Sequence, residues 1–551
     1  MKYLELIEAL ERVAKIASKN EKVAIISELL KKSQEQELKN IARLLVGKIF
    51  PDYESRELGI STATITKVLS EITGKTQLEL IQLHRQTGDL GGAAEVALKS
   101  KRQFPLFKEA LEISEVYSAM EEIAEIKGED SFARISNVLK GLLLRASPIE
   151  AKYLIRTLLG NIQVGFSQGL MEDAIARAFE VSKAKVMRAL MYMPDVGEIA
   201  ALAQRGNKAL DQVEIQLLRP VKPMLASHAS SLEEIFEEFK EFALEVKYDG
   251  IRVQIHKKDA EIKIFTRRLR DITSAVPDLI EKLKQIKAEN FILEGELIAV
   301  KEGKLLPFQE LVKRIQRKYE IEEMSKLIPL NFLAFDVLYL NGANLTKMKY
   351  KFRYAILEDL LNGSGIDRAE RIVASNLEEA RAFFERARTM GHEGLMAKDM
   401  NAPYSPGTRG RKMLKLKSFL DTLDVAVLAA EYGEGRKHDF LSRYFIGAKS
   451  GDEFVVIGKV SSGLSDEELE WMTDELRKDA VEETGRLVKV KPRIVLEVAF
   501  DEIQKGESYP SGYALRFPRV LRIRDDKEID EVDSVDRIKE LYECGGELRI
   551  D

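Results

Sequence analysis

The hydrophobic pattern of this 551-residue chain changes twice, and those two changes constrain its fold more than any other feature. Over the first part, apolar residues recur at helical spacing; Leu4, Ile7 and Leu10, for example, share one face of a helix. Prolines are sparse there and are expected to fall between helical segments, at Pro51, Pro105, Pro148 and Pro194. The pattern therefore predicts an all-α domain over residues 1–218.

The second pattern begins after the proline-containing segment RPVKPMLA, which is typical of a linker. Residues 251–255 alternate between apolar and polar side chains, and residues 262–264 repeat the alternation after a short polar turn, which predicts a β-hairpin. The runs ENFILEGELIAV and LNFLAFDVLYL are strand-like, and segments such as DLIEKLKQIKA and LEEARAFFERARTMG are helical. Residues 219–418 are predicted to form an α+β domain.

The third pattern, over residues 419–551, consists of short apolar strands separated by glycine-containing turns. One clear helical segment, DEELEWMTDELRK, interrupts the strands. About five short strands with one helix are typical of a small closed β-barrel such as the OB-fold. The chain is thus predicted to be multidomain, with an all-α, an α+β and a β-barrel domain.

Composition excludes several classes of protein. The single cysteine, Cys544, can build neither an internal disulfide framework nor a four-cysteine zinc module. Glu5, Glu8 and Glu11 interrupt any signal-peptide core, and no apolar stretch is long enough to span a bilayer, so we expect a cytoplasmic protein without a membrane partner. The net charge is −5, so a nucleic-acid binder of this composition must concentrate its positive residues locally.

The sharpest motif is EVKYDGIR, which spans residues 245–252. It places the amine of Lys247 beside the carboxylate of Asp249 at a tight turn, and Arg252 follows at a distance suited to a phosphate or a sugar. A surface turn with scattered charges is the alternative interpretation, so this motif alone is a moderate signal.

Carboxylates also lie within otherwise apolar runs, at Glu296, Asp336 and Glu393. Burying a carboxylate is costly unless it binds a cation or a basic side chain. Several such residues in one domain, beside a candidate nucleophilic lysine, favour a metal–phosphate site over structural ion pairs.

Two clusters of basic residues contain no acid between them. The first lies between Tyr404 and Phe419, and its Lys415 and Lys417 are expected to share one face of a strand. The second lies between Pro510 and Arg524. Phosphate contact explains this pattern better than a solvated surface. The members of the two clusters are Arg409, Arg411, Lys412, Lys415, Lys417, Arg516, Arg519, Arg522 and Arg524.

The motifs EVKYDGIR, TRRLRD, LEGE, FLAFDVLYL, EGLMAK, LKLK and RFPRVLRIRDDK occur in the order found in covalent nucleotidyltransferases. They most closely resemble the ATP-dependent DNA ligases of archaeal and eukaryotic replicative type, and PDYESRELGIS and EAKYLIRTLLGNIQVGFSQGLMEDAIARAF resemble the helical DNA-binding domain of those enzymes. The resemblance covers essentially the whole chain. It implies an archaeal-type, nucleoid-associated monomer that uses ATP and Mg²⁺ or Mn²⁺ to seal nicked duplex DNA in replication, repair and recombination.

The resemblance also implies a role for each motif residue. Lys247 resembles the nucleophile that becomes adenylylated, and Arg524, Asp526 and Lys527 resemble a barrel motif that assists this first step after a hinge motion about residues 418–422. Glu296, with Glu294 as the nearby alternative, resembles the carboxylate that binds either the ribose or the metal ion, and Glu393 and Asp249 would be further metal carboxylates. The nucleotide contacts would be Glu245 with the adenine amino group, Phe335 stacked on adenine, Arg252 and Arg267 with sugar and phosphate, and Arg409, Lys415 and Lys417 with the phosphates.

Two features of the helical region have open interpretations. Gln103, Phe104 and Phe107 loosely resemble a peptide that docks on a sliding clamp, although packing of both phenylalanines in the core is slightly favoured. Residues near Gly160 and Gly165 suit either close approach to a DNA backbone or ordinary helix packing.

The competing functions are an RNA enzyme that shares the K-x-D-G motif, such as a capping guanylyltransferase or an RNA ligase, and a non-catalytic nucleic-acid scaffold. The long helical region disfavours the RNA enzyme, and the complete set of motifs disfavours the scaffold.

Overall fold

The computed structural model of the chain describes residues 1–99, 109–128, 130–160, 162, 164–306, 308–317, 319–417, 422–433, 439–451, 453–500, 502–506 and 509–547. The described part of the N-terminal domain is all helical, as predicted. Its helices are α1 (Tyr3–Lys15), α2 (Lys19–Lys32), α3 (Glu35–Leu45), α4 (Thr62–Thr73), α5 (Gln77–Thr87), α6 (Leu90–Leu98), α7 (Ile113–Glu125), α8 (Ser131–Arg145), α9 (Pro148–Leu158), α10 (Gln168–Ala178), α11 (Lys183–Tyr192), α12 (Val196–Gln204) and α13 (Asn207–Asp211).

Side-chain caps fix where many of these helices begin. Ser61 and Thr76 accept hydrogen bonds from backbone N–H groups of the first turns of α4 and α5, which have no partner within the helix. Ser147 caps α9 in the same way, and Pro148 is the first residue of that helix instead of lying between helices as expected. A proline is tolerated there because the first N–H of a helix has no intrahelical acceptor. Pro105 lies outside the described residues.

The core of the helical domain continues into the second domain. Buried residues of the helices, such as Ile7 and Ile26, belong to the same hydrophobic cluster as Val221 and Met224 of the linker. Ile292 and Tyr404 of the second domain belong to it as well. The helical domain is therefore packed against its neighbour through apolar contacts and is not merely tethered to it.

The second domain mixes helices and strands, as predicted. Its elements are β1 (Leu225–His228), α14 (Leu232–Glu238), β2 (Phe242–Lys247), β3 (Ile251–Lys258), β4 (Glu261–Thr266), α15 (Pro277–Leu283), β5 (Asn290–Lys301), β6 (Lys304–Leu305), α16 (Phe308–Gln316), α17 (Ile321–Leu327), β7 (Leu330–Leu340), β8 (Ala343–Asn344), α18 (Tyr350–Leu361), β9 (Asp367–Arg368), β10 (Arg371–Ile372), α19 (Leu377–Thr389), β11 (Gly394–Asp399) and β12 (Arg409–Lys417).

These strands form two sheets. One has the order β1-β12-β11-β2-β10. The other has the order β4-β3-β5-β7-β8, and in addition β6 pairs with β5 and β9 pairs with β7. The predicted hairpin is confirmed as β3–β4, and the two apolar runs are the adjacent strands β5 and β7. Because β2 belongs to one sheet and β3 to the other, the turn between them joins the two sheets at residues 248–250.

Strand register brings charged residues into rows on the first sheet. Gly394 of β11 lies opposite Lys247 on one side and Lys417 on the other. Met396, which follows Gly394 on the same face of β11, lies between Glu245 of β2 and Lys415 of β12. Gly394 is required at its position because its φ is +139° and a Cβ atom would lie 2.1 Å from the carbonyl oxygen of Leu416.

The C-terminal domain is a curled β sheet that forms a half-barrel. Its sheet has the order β15-β14-β13-β17-β16, with β18 between β13 and β21, and β19 and β20 pair separately. The described part of this domain contains more strands than the five predicted. The predicted helix is confirmed as α20, whereas α21 was not predicted from the sequence. The elements are β13 (Thr422–Tyr432), β14 (Leu441–Ser450), β15 (Glu453–Val460), α20 (Asp466–Lys478), β16 (Ala480–Thr484), β17 (Leu487–Val490), β18 (Val495–Ala499), β19 (Glu502–Lys505), β20 (Tyr513–Arg516), β21 (Arg519–Ile523) and α21 (Val535–Glu547).

Among the described residues, no helix has both the length and the apolar character needed to span a membrane.

The close packing at Gly394 makes a stability prediction. Gly394→Ala should destabilise the α+β domain by at least ~2 kcal/mol, because the new methyl group meets backbone atoms that cannot move independently. The matched control is Gly410→Ala on the neighbouring strand β12, where a Cβ atom has open space. Calorimetric unfolding of both variants measures the difference, and equal transition temperatures would contradict the packing argument.

Candidate active site

Lys247 lies at the end of β2, where the chain leaves the first sheet. Its ammonium group forms an ion pair with Glu393, the residue that precedes β11. The backbone N–H of Glu393 donates to the carbonyl oxygen of Lys247 at 3.0 Å, so the two residues are held together by main chain as well as side chain. Only 20% of the Lys247 side chain is exposed.

The surroundings of Lys247 favour its neutral form. Burial lowers the pKa of the Lys247 ammonium by removing water from the charge, and the nearby cations Lys417 and Lys415 lower the pKa further. Glu296 and Asp249 act in the opposite direction, but the net effect is a pKa well below that of an ordinary lysine. A larger fraction of neutral amine is therefore available near pH 7 than a solvated lysine offers.

Glu296 lies next to Lys247 across the junction of the two sheets. It is opposite Arg252 in the β3–β5 register, and burial raises the pKa of its carboxyl group against the influence of Lys247. A Cβ atom at Gly250 would lie 2.8 Å from Cγ of Glu296 and 2.5 Å from the carbonyl oxygen of Leu297. The glycine of the K-x-D-G motif thus allows the turn to pack directly on β5.

Glu245 and Phe335 line the inner side of the site. The buried carboxylate of Glu245 accepts a hydrogen bond from the hydroxyl of Tyr350 and forms a 2.6 Å ion pair with Lys398. The Lys398 amine also lies 4.2 Å from the centre of the Phe335 ring. A pocket lies here and is lined by aromatic and basic side chains, among them Phe335, Tyr350, Lys398 and Tyr404.

Sequence reasoning did not assign roles to Lys398, Tyr350 or Tyr404. For Lys398 a signal existed, because it shares the strand face of Gly394 and Met396 in the motif EGLMAK. For Tyr350 and Tyr404 we find no local signal, since each enters the site from a segment outside the quoted motifs.

Two candidate carboxylates are engaged in structural ion pairs. Asp336 binds Arg353 through two 2.8 Å hydrogen bonds inside the domain, so the expectation that it belongs to a metal–phosphate site does not hold. Glu294, the alternative to Glu296, accepts hydrogen bonds from Arg252 at 2.7 Å and Tyr404 at 2.8 Å. Its oxygens are directed into the protein.

Several predicted cations converge on the site. Burial lowers the pKa of the Arg267 guanidinium group, and the nearby charges of Arg252 and Arg409 lower it further. Lys415 and Lys417 share one face of β12, as predicted. The alternating residues Leu414 and Leu416 are buried on the other face of the strand. Arg411 is an exception, because its guanidinium binds Glu234 and Glu238 of α14.

The half-barrel contacts the site through Arg516. This arginine, at the end of β20, forms a 2.9 Å ion pair with Asp249 of the K-x-D-G motif. Its guanidinium carbon also lies 4.1 Å from the ring centre of Phe308. Asp249, predicted as a metal ligand, is thus bound by a cation from another domain.

The predicted barrel motif is held inside the half-barrel. Arg524 and Lys527 bind Asp424 of β13 at 3.1 and 2.7 Å, and Asp526 binds Arg524 at 2.7 Å. Arg522 similarly pairs with Glu497. Arg516, Arg522 and Arg524 of this cluster therefore have acidic partners elsewhere in the chain, and the motif is not brought to Lys247 in this arrangement.

Some predicted residues cannot be placed. Gln103, Phe104 and Phe107 lie outside the described residues, as do residues 418–421 of the predicted hinge. Gly165 is described, and its carbonyl oxygen accepts a hydrogen bond from the buried amine of Lys22 at 3.1 Å.

Comparison with known proteins gives concordant results across the chain. Residues 2–176 match the family model described as DNA ligase N terminus, residues 223–417 match the ATP dependent DNA ligase domain, and residues 437–527 match the ATP dependent DNA ligase C terminal region. A DNA ligase of Thermococcus onnurineus is 41% identical over 98% of both chains, and one of Archaeoglobus fulgidus is 38% identical over the full length of both. A solved structure named Pmar-Lig_Pre. covers 94% of this chain and 99% of its own with a TM-score of 0.59; at 16% identity it shows the fold alone.

The lysine-centred site between two sheets, flanked by a helical domain and a half-barrel, is that of a covalent nucleotidyltransferase. The chain belongs to the ATP-dependent DNA ligase family, in its archaeal form. The predicted family, fold class and enzymatic activity are confirmed.

Proposed function

We propose that Lys247 takes AMP from ATP and that the enzyme then seals nicks in duplex DNA during replication, repair and recombination. The observation that carries this proposal is the partly dehydrated Lys247 amine, which lies between carboxylates and a cluster of cations. A nucleophilic lysine requires such surroundings, because only its neutral form can attack.

The neutral amine of Lys247 attacks the α-phosphate of ATP, a phosphorus–nitrogen bond forms and pyrophosphate leaves. The AMP group is then transferred to the 5′-phosphate at the nick. Finally, the 3′-hydroxyl attacks that phosphate and AMP leaves. These steps depend on positioning and on neutralising phosphate charge, which Arg409, Lys415 and Lys417 are suited to do.

The inner pocket is the proposed site of the adenosine group. Phe335 would stack on the adenine ring, and Glu245 would accept a hydrogen bond from its amino group. Arg252 and Arg267 would bind the sugar and the α-phosphate from the β3 side. The proposal is supported by the positions of Glu245 and Phe335, which both contact Lys398, and Phe335 and Lys398 line the same pocket.

The described residues contain no group of three or more acidic, histidine or cysteine side chains that could hold a metal ion by themselves. Mg²⁺ usually binds one or two carboxylates and completes its coordination with water and substrate phosphates. Glu296 and Glu393, with Asp249 nearby, fit that pattern for Mg²⁺ or Mn²⁺ in the presence of ATP. A bound divalent ion would neutralise charge on the phosphates.

The proposed functional units are the helical domain at 1–218, the adenylation domain at 219–418 and the half-barrel at 419–551. Acting as a nucleoid-associated monomer, the three units would hold both duplex arms at a nick, mainly through phosphates. A sliding clamp is the second proposed partner, through the peptide that contains Gln103 and Phe107.

The first test supplies α-labelled ATP or GTP, followed by nicked DNA or nicked RNA. We expect a covalent label from ATP that only nicked DNA discharges, with a sealed strand as the product. Lys247→Arg should abolish the label, because the guanidinium of arginine remains protonated. The control is Lys351→Met, which removes a partly exposed amine paired with Glu241. Labelling of Lys247→Arg at the wild-type rate, or discharge by nicked RNA, would refute the proposal.

The second prediction concerns the barrel motif. Lys527 is bound to Asp424 within the half-barrel, so it can reach the pyrophosphate of ATP only if the half-barrel turns about residues 418–422. Lys527→Ala should therefore lose self-adenylylation by at least ~100-fold but still seal a nick adenylylated beforehand.

Single-turnover sealing of pre-adenylylated DNA is compared with labelling by ATP for this variant. Lys539→Ala, which changes an exposed residue of α21, serves as the control in the same domain. An equal loss in both assays would mean that Lys527 supports stability or DNA binding instead of the first step.

A further inference from the structure

The linker between the helical and adenylation domains is bound to β3 at every third residue. The N–H of Leu218 donates to Nδ1 of His256 at 3.1 Å, and the N–H of Val221 donates to Oε1 of Gln254 at 2.8 Å. The carbonyl oxygen of Met224 accepts a hydrogen bond from Arg252 at 2.7 Å. Because residues 252, 254 and 256 lie on one face of a strand, a single row of side chains holds the linker.

These side chains are also joined to one another. Nε2 of His256 donates to Oε1 of Gln254 at 2.8 Å, and Nε2 of Gln254 donates to Oε1 of Glu294 at 3.1 Å. The other oxygen of Glu294 accepts the 2.7 Å hydrogen bond from Arg252. The network therefore runs without a break from the linker at Leu218 to the guanidinium of Arg252.

Tyr404 closes the network at its other end. Its hydroxyl donates to Glu294 at 2.8 Å and accepts from the N–H of Met224 at 2.9 Å. His256, Gln254 and Glu294 are each at most 4% exposed, so water cannot replace a lost partner easily.

Arg252 connects this network to the proposed nucleotide site. Its two terminal nitrogens are bound to Met224 and Glu294, whereas its buried Nε has no hydrogen-bond partner in the described protein. The plane of the guanidinium is thus fixed on the side of the linker and Glu294, whereas its Nε–H has no acceptor in the described protein. Arg252 lies 5.4 Å from the centre of the Phe335 ring, at the edge of the proposed adenosine pocket.

We propose that Gln254 and His256 are positioning residues for ATP, which couple the seating of the interdomain linker to the orientation of Arg252. This inference rests on the proposed role of Arg252 in binding ATP. Without Gln254, one buried oxygen of Glu294 loses its donor and the carboxylate turns to find another, so Arg252 loses its fixed orientation. The linker of the helical domain thereby influences ATP affinity.

The test measures self-adenylylation of the full-length enzyme as a function of ATP concentration. Gln254→Met keeps the side-chain volume and removes both hydrogen-bonding atoms. We expect its KM for ATP to rise about tenfold, with a change in the maximal rate of less than about twofold. The matched control is Lys257→Met. Lys257 lies on the opposite face of β3, and its amine binds only the carbonyl oxygen of Ile286 among its recorded hydrogen bonds.

A pair of His256 variants provides an independent test. His256→Leu removes the acceptor for the N–H of Leu218, and we expect it to raise the KM for ATP. His256→Asn restores an acceptor near the position of Nδ1, so its KM should return to within about threefold of the wild-type value. A purely structural role would not produce this rescue in KM at an unchanged maximal rate.

Arg252→Ala separates the two proposals. If it raises the KM for ATP while Gln254→Met and His256→Leu do not, or if Lys257→Met raises KM as much as Gln254→Met, the coupling is refuted and the proposed function stands. If Arg252→Ala leaves the KM unchanged, the role of Arg252 in the proposed function fails, and the coupling fails with it.

Discussion

The partial dehydration of the Lys247 ammonium is the constraint on which the site depends. A lysine in water holds its proton too firmly to attack a phosphate near neutral pH, whereas burial raises the free energy of the charged form. Lys417 adds a like charge, and the ion pair with Glu393 keeps the amine in place. The register of β2, β11 and β12 sets these relations, with Gly394 between the two lysines.

Buried ion pairs inside the adenylation domain lie within each of its two sheets and between a sheet and helix α18. Glu245 is bound by Lys398, Asp336 by Arg353 and Glu294 by Arg252, and each carboxylate lies within an apolar strand. Such pairs add little net stability compared with apolar packing, but removing one partner leaves a buried charge that is costly. Their effect is therefore to fix the orientation of the charged side chains in the proposed nucleotide site, and Arg252 connects this arrangement to the linker through Met224.

Much of the fold followed from local patterns. Alternation predicted the β3–β4 hairpin and the shared face of Lys415 and Lys417, and the order of the motifs predicted the family. The partners of charged residues could not be predicted in this way, because Glu294 lies 42 positions from Arg252 and Arg516 lies 267 positions from Asp249. The sequence pattern of an acidic residue in an apolar run is therefore the same whether the residue belongs to the site or pairs with an arginine elsewhere in the domain. Asp336, which pairs with Arg353, is an example of the second case.

The most direct test of this account is the pH dependence of acylation of Lys247 in the protein without nucleotide or metal, followed by mass spectrometry of the peptide that contains it. The account predicts that the reactivity of Lys247 rises with pH, because the neutral amine is the reactive form. The midpoint of this rise is expected at a pH of about 8. Lys417→Met should move this midpoint to higher pH, since the charge of Lys417 lowers the pKa of Lys247. A midpoint near ~10.4, the value of a solvated lysine, would contradict the account.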